Sequence, residues 1–265
     1  MLSSPEITRY SRNILLKGVG KKGQEKLKSS RVGVIGAGGL GSPVLYYLTA
    51  VGVGEIRVID SDTVDLTNLQ RQILFQTDSI GKSKSIAAKE NLEKLNPEIK
   101  IITYNERLNS KNIKDIFGGV DLLIEGSDNF PTKFLVNDFS YFEKIPLIVA
   151  GILGFEGQIM GVIPDETFCY RCVFHSPPPQ DEVPSCSEAG VIGAVAGVMG
   201  SLQANEAVKF LLGFQNSIFG NLLSVDLMDL QFRKVHLKKN KKCKLCGEKK
   251  EIITLQDIKT DLEFC

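Results

Sequence analysis

The sequence lacks three features that would set its class at once: a large net charge, a long hydrophobic run and an apolar N-terminal segment. Its 32 Lys and Arg residues balance 31 Asp and Glu residues, so the net charge of +1 gives no general electrostatic reason to bind nucleic acid or membranes. The most apolar stretch, 189–200, is too short to span a bilayer, and residues 1–13 lack the apolar core of a signal peptide. We therefore expect a cytoplasmic protein with neither a membrane nor a nucleic acid as partner.

Neither an internal repeat nor an interdomain linker divides the 265 residues, a length that fits one α/β domain with a substantial core. We predict a single domain over 1–265, with an N-terminal helical arm at 1–30, a first half at 31–150 and an antiparallel second half at 151–265. Two lysine-rich stretches, 21–28 and 238–244, are interpreted as solvated faces, and a basic docking surface for an acidic partner is the alternative.

Short apolar segments alternate with helical patterns through the first half of the chain. The predicted strands there are 31–35, 55–60, 100–104, 120–125 and 146–150, and the predicted helices run through residue 50 and over 81–95, 112–117 and 130–142. This alternation predicts a parallel, doubly wound sheet. Later segments predict antiparallel strands at 158–163, 222–226 and 231–237, with a long helix over 188–212. The predicted class is therefore α/β, with a Rossmann-like, mainly parallel sheet and an antiparallel C-terminal extension.

A glycine-rich turn joins the first predicted strand to the helix that follows it. The turn carries Gly36, Gly38, Gly39 and Gly41, and the next predicted strand ends in Asp60. Backbone N–H groups of such a turn approach phosphate oxygens closely, and an acid at this position accepts hydrogen bonds from ribose hydroxyls. On these features alone, the first interpretation is a dinucleotide-dependent oxidoreductase.

Charged residues at the expected carboxyl edge of the sheet favour a different nucleotide. Arg71 and Lys84 can neutralise a polyphosphate, and Asp128 follows the buried strand at 120–125. Two cations and a carboxylate suit MgATP, whose departing pyrophosphate needs neutralising, whereas nicotinamide chemistry needs no such cluster. The candidates beside them are Asp62, Asn68, Gln72 and Asn129. In the alternative interpretations, Arg71 and Lys84 are surface charges and Asp128 only caps a helix.

Six cysteines divide into two Cys-x-x-Cys pairs and two single residues. Cys169 and Cys172 form one pair and Cys243 and Cys246 the other. Two thiolate pairs that far apart predict a closed, tetrahedral Zn²⁺ site that joins remote segments; a disulfide or redox motif is the alternative. Cys186 stands alone before a predicted helix, where the helix dipole lowers a thiol pKa. It is either a reactive thiol or an exposed, dispensable one.

Motifs along almost the whole chain match one family. They are RYSRNILL, GAGGLGSP, VIDSDTVDLTNLQRQ, IGKSK, GSDN, CYRC, the region from SCSEAGV through VMGSLQANEAVKFL, CKLCG and the tail IITLQDIKTDLEFC. With these motifs, the sequence resembles the adenylating enzymes of the ThiF/MoeB/HesA family, relatives of the ubiquitin-activating enzymes. The resemblance implies an ATP-dependent adenylyltransferase that converts the C-terminal Gly-Gly carboxylate of a small ubiquitin-like carrier into an acyl-adenylate and releases pyrophosphate.

The resemblance also implies roles for single residues. Gly39 lies against the nucleotide phosphates, Asp60 binds the ribose, and the phosphates are contacted by Asn68, Arg71 and Lys84. Asp128, with Asn129 beside it, assists Mg²⁺ and the reacting carboxylate. Arg12, otherwise an exposed N-terminal charge, reaches into the ATP site of a neighbouring subunit. The four paired cysteines bind structural Zn²⁺, and Cys186 forms a covalent link to the carrier or to a sulfur intermediate in some members.

The implied partners are a ThiS-like or MoaD-like sulfur carrier, a second copy of the chain in a homodimer, and a cysteine desulfurase or rhodanese as sulfur donor. Either thiamine or molybdenum-cofactor synthesis fits this set. Besides the oxidoreductase, the alternative function is a catalytically inactive regulatory partner of an activating enzyme. The presence of Arg12, Arg71, Lys84 and Asp128 favours an active enzyme.

Overall fold

A mixed eight-stranded sheet forms the centre of the protein. The computed structural model describes residues 1–178, 190–215 and 218–258. In chain order the strands are β1 Arg31–Ile35, β2 Glu55–Ile59, β3 Lys100–Tyr104, β4 Leu122–Glu125, β5 Leu147–Leu153, β6 Glu156–Val162, β7 Asn221–Asp226 and β8 Gln231–His236. Across the sheet the order is β3-β2-β1-β4-β5-β6-β7-β8. Strands β1 to β5 pair in parallel and β5 to β8 pair antiparallel, which confirms the predicted α/β class.

Helices cover both faces of this sheet. In the described ranges they are α1 Ser4–Arg9, α2 Ser11–Ile14, α3 Gly20–Ser29, α4 Gly41–Val51, α5 Lys84–Leu95, α6 Ile113–Phe117, α7 Phe130–Glu143, α8 Tyr170–Val173 and α9 Gly193–Leu212, with 3₁₀ turns at Leu66–Asn68 and Thr77–Ser79. None of these helices combines the length and apolar character needed to cross a bilayer. Buried strand residues alternate between two cores, one shared with α3, α4, α5 and α9 and the other with α6, α7 and α8.

Two glycines allow α9 to approach its neighbours closely. A Cβ at Gly200 would lie 2.5 Å from the carbonyl oxygen of Leu40, and one at Gly193 would lie 2.1 Å from that of Gln70. Close backbone packing therefore offsets the cost of glycine in this helix, about 1 kcal/mol per residue. Helix α9 packs against α4, the loop at Gln70 and the sheet. A Cβ at Gly197 would have no neighbour within 4 Å, so close packing does not require a glycine there.

Several predicted boundaries need correction. The predicted helix at 81–95 begins only at Lys84, because Ser83 pairs with Thr63 in an isolated β-bridge. The predicted long helix at 188–212 begins at Gly193, and residues 188–189 lie outside the described residues. Strand β5 continues to Leu153, so the predicted division of the chain between residues 150 and 151 falls within a strand.

Candidate functional site

A cavity of about 500 Å³ opens where the parallel strands end. Its walls come from the loops that follow β1, β2 and β4, from the end of β5 and from β6. This is the carboxyl edge of the sheet, where ligands of open α/β proteins bind. The predicted residues that line the cavity are Gly36, Gly38, Gly39, Asp60, Asp62, Arg71, Gln72, Lys84, Asp128 and Asn129. The fold thus brings together most of the nucleotide-binding set.

Asp60 holds the glycine loop in place. Its Oδ2 accepts a hydrogen bond from the backbone N–H of Ala37 at 2.8 Å, and its Oδ1 accepts one from that of Asp62 at 2.9 Å. Burial raises the pKa of Asp60, and the nearby charge of Lys84 acts in the opposite direction. A carboxylate has about four acceptor sites, so each oxygen of Asp60 keeps one for the hydroxyls of a ribose.

Four cationic side chains line the cavity, namely Arg71, Lys84, Arg107 and Lys133, and the two that the sequence predicted, Arg71 and Lys84, differ in their partners. Lys84 is buried, and its Nζ pairs with Oδ2 of the exposed Asp62 at 2.8 Å. A buried ammonium facing a cavity does not fit the alternative of a surface lysine. Arg71 donates from Nη1 to the carbonyl oxygen of Thr67 at 3.1 Å and pairs with no carboxylate of the described chain. Both cations are therefore placed to receive an anionic ligand.

Gln72 presents an unused acceptor to the cavity. The side chain is only 4% exposed, and its Oε1 has no hydrogen-bond partner in the described structure. A buried acceptor without a partner costs about 1–3 kcal/mol. A hydroxyl, amine or water delivered with a ligand would remove this cost, so the residues here fit a hydrogen-bonding nucleotide.

Two neighbouring candidates in the loop after β4, Asp128 and Asn129, have different roles. Oδ1 of Asn129 accepts a hydrogen bond from the backbone N–H of Thr132 at 2.9 Å, so Asn129 is the N-cap of α7. Asp128 is exposed and makes no hydrogen bond or ion pair with the described residues. The capping alternative for Asp128 is therefore wrong, and its carboxylate is free toward the cavity.

A buried ion pair beneath this loop was missed by the sequence reasoning. Nζ of Lys133 contacts Oε2 of Glu125 at 2.5 Å, and it donates to the carbonyl oxygens of Ser127 and Ala150 at 2.7 Å each. The side chain of Glu125 is fully buried and also accepts the N–H and hydroxyl of Ser127. All three ammonium protons are used, so Lys133 holds the loop that carries Asp128 and leaves no donor for a ligand.

Breaking this pair should destabilise the fold. We expect Lys133→Met to lower the free energy of unfolding by about 3 kcal/mol, because it leaves a buried carboxylate without its counter-charge. The double variant Glu125→Gln/Lys133→Met removes both charges and should recover at least half of that loss. Denaturant unfolding followed by circular dichroism measures both values.

The matched control for that prediction is Lys114→Met. Lys114 pairs with Glu143 at 2.8 Å, but its side chain is 68% exposed, so a change below about 1 kcal/mol is expected. Equal losses for Lys133→Met and Lys114→Met would contradict the role given to the buried pair.

The paired cysteines converge on one point. The sulfurs of Cys169, Cys172, Cys243 and Cys246 all lie within 4.8 Å of one another, and each residue is a free thiol in this structure. Sγ of Cys169 is 3.6 Å from Sγ of Cys243, and Sγ of Cys172 is 3.3 Å from Sγ of Cys246. Zn²⁺ with Zn–S bonds of about 2.3 Å separates its sulfurs by about 3.8 Å, so this donor set fits a tetrahedral ion and not a pair of disulfides.

The cysteine cluster is fixed to the helix that begins beside Asp128. Oδ1 of Asn137 in α7 accepts the backbone N–H of Tyr170 in α8 at 2.8 Å. Asp138, also in α7, makes two hydrogen bonds of 2.7 Å with Arg171, which is buried. Tyr170 and Phe174 then form part of the cavity wall. Helix α7 therefore connects the cluster to the loop of Asp128.

Comparison with known proteins places the chain in a family. The model described as "ThiF family" matches residues 10–245. The chain belongs to the ThiF family. This ThiF-family chain is 44% identical over 249 residues to a sulfur carrier protein adenylyltransferase of Thermus thermophilus, covering 92% of each chain. It is 43% identical over 247 residues to a SAMP-activating enzyme E1 of Haloferax volcanii, covering 93% of the chain and 91% of that relative.

Longer relatives and solved structures agree with this membership. Adenylyltransferase and sulfurtransferase MOCS3 of Xenopus laevis is 40% identical over the whole chain, which covers 58% of that relative. The crystal structure of E. coli MccB with ATP is 26% identical, with a TM-score of 0.77, over 92% of this chain and 75% of that one. The family resemblance is confirmed. The expectation of an adenylating enzyme is confirmed as well, because several of these relatives are named adenylyltransferases.

Four of the site residues predicted for this ThiF-family chain do not line the cavity or lie outside the described residues. Arg12, in α2, is exposed and does not line the cavity of its own chain. The side chain of Asn68 closes the 3₁₀ turn, with Oδ1 accepting the N–H of Asp65 at 3.4 Å. Gly41 packs the glycine loop, since a Cβ there would lie 2.0 Å from the carbonyl oxygen of Gly36. Cys186 lies outside the described residues.

Some cavity walls were also missing from the prediction. The loop 106–108 after β3 and the aromatic residues Tyr170 and Phe174 line the cavity. Tyr170 lies within the CYRC motif, but the chemical meaning of that motif rests on its cysteines and gave no sign that the tyrosine lines a cavity. The pair of Glu125 and Lys133 did leave a signal. An acid at the end of an apolar strand is buried with it, and a buried acid requires a cation nearby.

Proposed function

We propose that the protein uses ATP to adenylate the C-terminal Gly-Gly carboxylate of a small ubiquitin-like sulfur-carrier protein. The single observation that carries this proposal is the cavity, which sets two cations, Arg71 and Lys84, and the unpaired carboxylate of Asp128 around one space. The names of the Thermus and Haloferax relatives support the same reaction. Thiamine synthesis and molybdenum-cofactor synthesis both use such a carrier, and the proposal covers either.

The reaction requires positioning and charge neutralisation more than covalent help from the protein. An oxygen of the carrier's carboxylate attacks the α-phosphorus of ATP, a P–O bond forms, and the bond to the pyrophosphate group breaks. Arg71 and Lys84 neutralise the negative charge that accumulates on the pyrophosphate as it leaves. Asp60 orients the ribose, and Gln72 offers its free Oε1 to a donor of the substrate. Asp128 would hold Mg²⁺, which supplies further neutralisation of the phosphates when it is bound.

The cysteine cluster belongs to the fold of this enzyme. In the proposal, Cys169, Cys172, Cys243 and Cys246 hold a structural Zn²⁺, and four sulfur ligands leave no open position for substrate. The ion therefore stabilises the wall that contains Tyr170 and takes no part in adenylation.

The exposed position of Arg12 supports a role in a second subunit. In a homodimer, Arg12 of one subunit would complete the charge set of the other. We expect Arg12→Ala and Asp128→Ala to be inactive alone and to regain about a quarter of wild-type activity when the two are mixed, because half of the dimers are mixed and each has one complete site. ATP–pyrophosphate exchange measures the recovery. A mixture that stays inactive, while subunit exchange is verified by mass, would contradict action across subunits.

A separate step follows adenylation, in which sulfur from a cysteine desulfurase or rhodanese reaches the carrier. We expect Cys186→Ala to leave ATP–pyrophosphate exchange at the wild-type rate and to impair only the transfer of sulfur. The residue is assigned to the later step because adenylation needs no thiol. Loss of exchange in this variant would show that the assignment is wrong.

The proposal as a whole is tested by ATP–pyrophosphate exchange with a panel of purified ThiS-like and MoaD-like carriers. Carrier-dependent exchange with at least one of them is the expected result, and a carrier without its terminal glycine serves as the control. Saturable binding of NADH in place of ATP, with no exchange, would overturn the proposal in favour of an oxidoreductase.

A further inference from the structure

Positive charge is concentrated in one short segment of this nearly neutral protein. Residues 231–250 contain nine Lys and Arg residues and one Glu, a net charge of +8, which leaves −7 for the other 245 residues. All nine cationic side chains are exposed. They are Arg233, Lys234, Lys238, Lys239, Lys241, Lys242, Lys244, Lys249 and Lys250, and together they are called the basic surface. The basic surface includes and extends 238–244, one of the two lysine-rich stretches that the sequence reasoning singled out.

Most of this charge is not neutralised within the described structure. Two lysines of the basic surface pair with acids, Lys241 with Glu248 at 3.3 Å and Lys244 with Glu251 at 3.0 Å. Five of the others have no ion pair among the described residues, namely Arg233, Lys234, Lys238, Lys242 and Lys249. Like charges in one segment repel one another, so an acidic partner that pairs with them relieves this repulsion.

The pairing of the strands places the basic surface beside the cavity. Gln158 of β6 lines the cavity, and across the sheet it pairs with Ser224 of β7, which pairs with Arg233 of β8. Residues paired in this way share one face of the sheet, and neighbouring strands are about 4.8 Å apart, so Arg233 lies about 10 Å from Gln158 on the cavity face.

A second contact brings the basic surface close to the cavity wall. The backbone N–H of Asn240 donates to Sγ of Cys172 at 3.4 Å. Cys172 belongs to α8, the helix that presents Tyr170 to the cavity. The basic surface therefore borders the cavity both along the sheet and beside the cysteine cluster.

We propose that the basic surface is the docking surface for an acidic face of the carrier protein. This inference rests on the proposed function, since the carrier's C-terminal carboxylate must then reach the cavity about 10 Å away. Exposed apolar side chains at the tip of the same hairpin favour a protein over a nucleic acid, with Met228 65% and Leu230 73% exposed. Such residues gain energy by burial in a protein interface, and phosphate backbones offer them nothing comparable.

Reversing two charges of the basic surface tests the inference. In Arg233→Glu/Lys238→Glu, both residues lack an ion pair and neither is a ligand of the cysteine cluster or a cavity residue. The matched control is Lys21→Glu/Lys22→Glu, the same change of charge on exposed residues of α3, which packs against the opposite core. We expect the first variant to raise the KM for the carrier about tenfold at low salt and to weaken its salt dependence, with kcat and the KM for ATP unchanged.

Direct binding of a fluorescent carrier, followed by anisotropy between low salt and about 0.3 M NaCl, separates this inference from the proposed function. Salt-sensitive binding that only the basic-surface variant loses supports the docking surface, even if exchange fails and the proposed function is wrong. Exchange and binding that are the same in wild type and variant overturn the docking surface and leave the proposed function standing. Salt-insensitive binding, or loss of RNA binding without a change for the carrier, also overturns it. A carrier that neither binds nor reacts overturns both.

Discussion

Replacement of Asp128 with Asn is expected to lower carrier-dependent ATP–pyrophosphate exchange about a thousandfold, a loss of about 4 kcal/mol of transition-state stabilisation. The substitution keeps the size of the side chain and removes the negative charge of Asp128, which holds Mg²⁺ in the proposal. Since Asn129 caps α7 and Lys133 holds the loop, the fold does not depend on Asp128. Thermal unfolding should therefore be unchanged while the exchange rate falls.

The matched control is Asp115→Asn. Asp115 is an exposed acid in α6 that does not line the cavity, and its loss changes the net charge by the same amount. Exchange in this variant should stay within twofold of wild type, the range expected for a surface substitution. An Asp128→Asn enzyme that still exchanged pyrophosphate at the control rate would show that the carboxylate has no part in the reaction.

Replacement of Cys243 with Ser is expected to lower the free energy of unfolding by on the order of 5 kcal/mol. Structural Zn²⁺ contributes more than this in small domains that fold only with metal, but here a large core remains without it. For a protein of this size the loss corresponds to a fall in Tm of about 10–20 °C. Differential scanning calorimetry with and without a chelator measures it, and metal content per chain follows from elemental analysis.

Two further variants control for the chemistry of thiols in general. Cys186→Ser and Cys265→Ser change the two cysteines that belong to neither Cys-x-x-Cys pair, and we expect both variants to keep the wild-type Tm and metal content. Below its lowered Tm, the Cys243→Ser protein should still bind ATP, because the glycine loop and Lys84 belong to other elements. A chelated protein that kept the wild-type Tm would contradict a structural role for the ion.

The sequence predicts those parts of the fold that depend on local patterns. Strands β1 and β3 coincide with the predicted 31–35 and 100–104, because short apolar runs between turns are typical of buried parallel strands. The start of α9 and the start of α5 were wrong, because tertiary contacts set both. At Ser83 a bridge to Thr63 delays the helix, which no local pattern indicates.

In the candidate site, too, the sequence predicts what depends on local patterns and misses what depends on tertiary contacts. The glycine loop, Arg71, Lys84 and the cysteine pairs have spacings with a chemical meaning, so the sequence identifies them. The sequence gives a signal that Glu125 is buried, but the full set of partners of Lys133 includes the carbonyl oxygen of Ala150, which comes from another strand. The approach of Arg233 to Gln158 depends on the register of three strands. Neither follows from spacing along the chain, because each is a product of the folded sheet.

The cysteine cluster also constrains how the protein matures. Cys169 and Cys243 are 74 residues apart, and the segment between them contains α9 and the β7–β8 hairpin. During synthesis on the ribosome, the first pair emerges well before the second and can offer a metal ion only two ligands. If the cluster binds Zn²⁺ as proposed, four-ligand binding becomes available only after α9 and the hairpin have been made, so the metal is loaded only once the antiparallel half has been synthesised. A cell short of zinc should accordingly accumulate chains that fail late, with the parallel half of the sheet already formed.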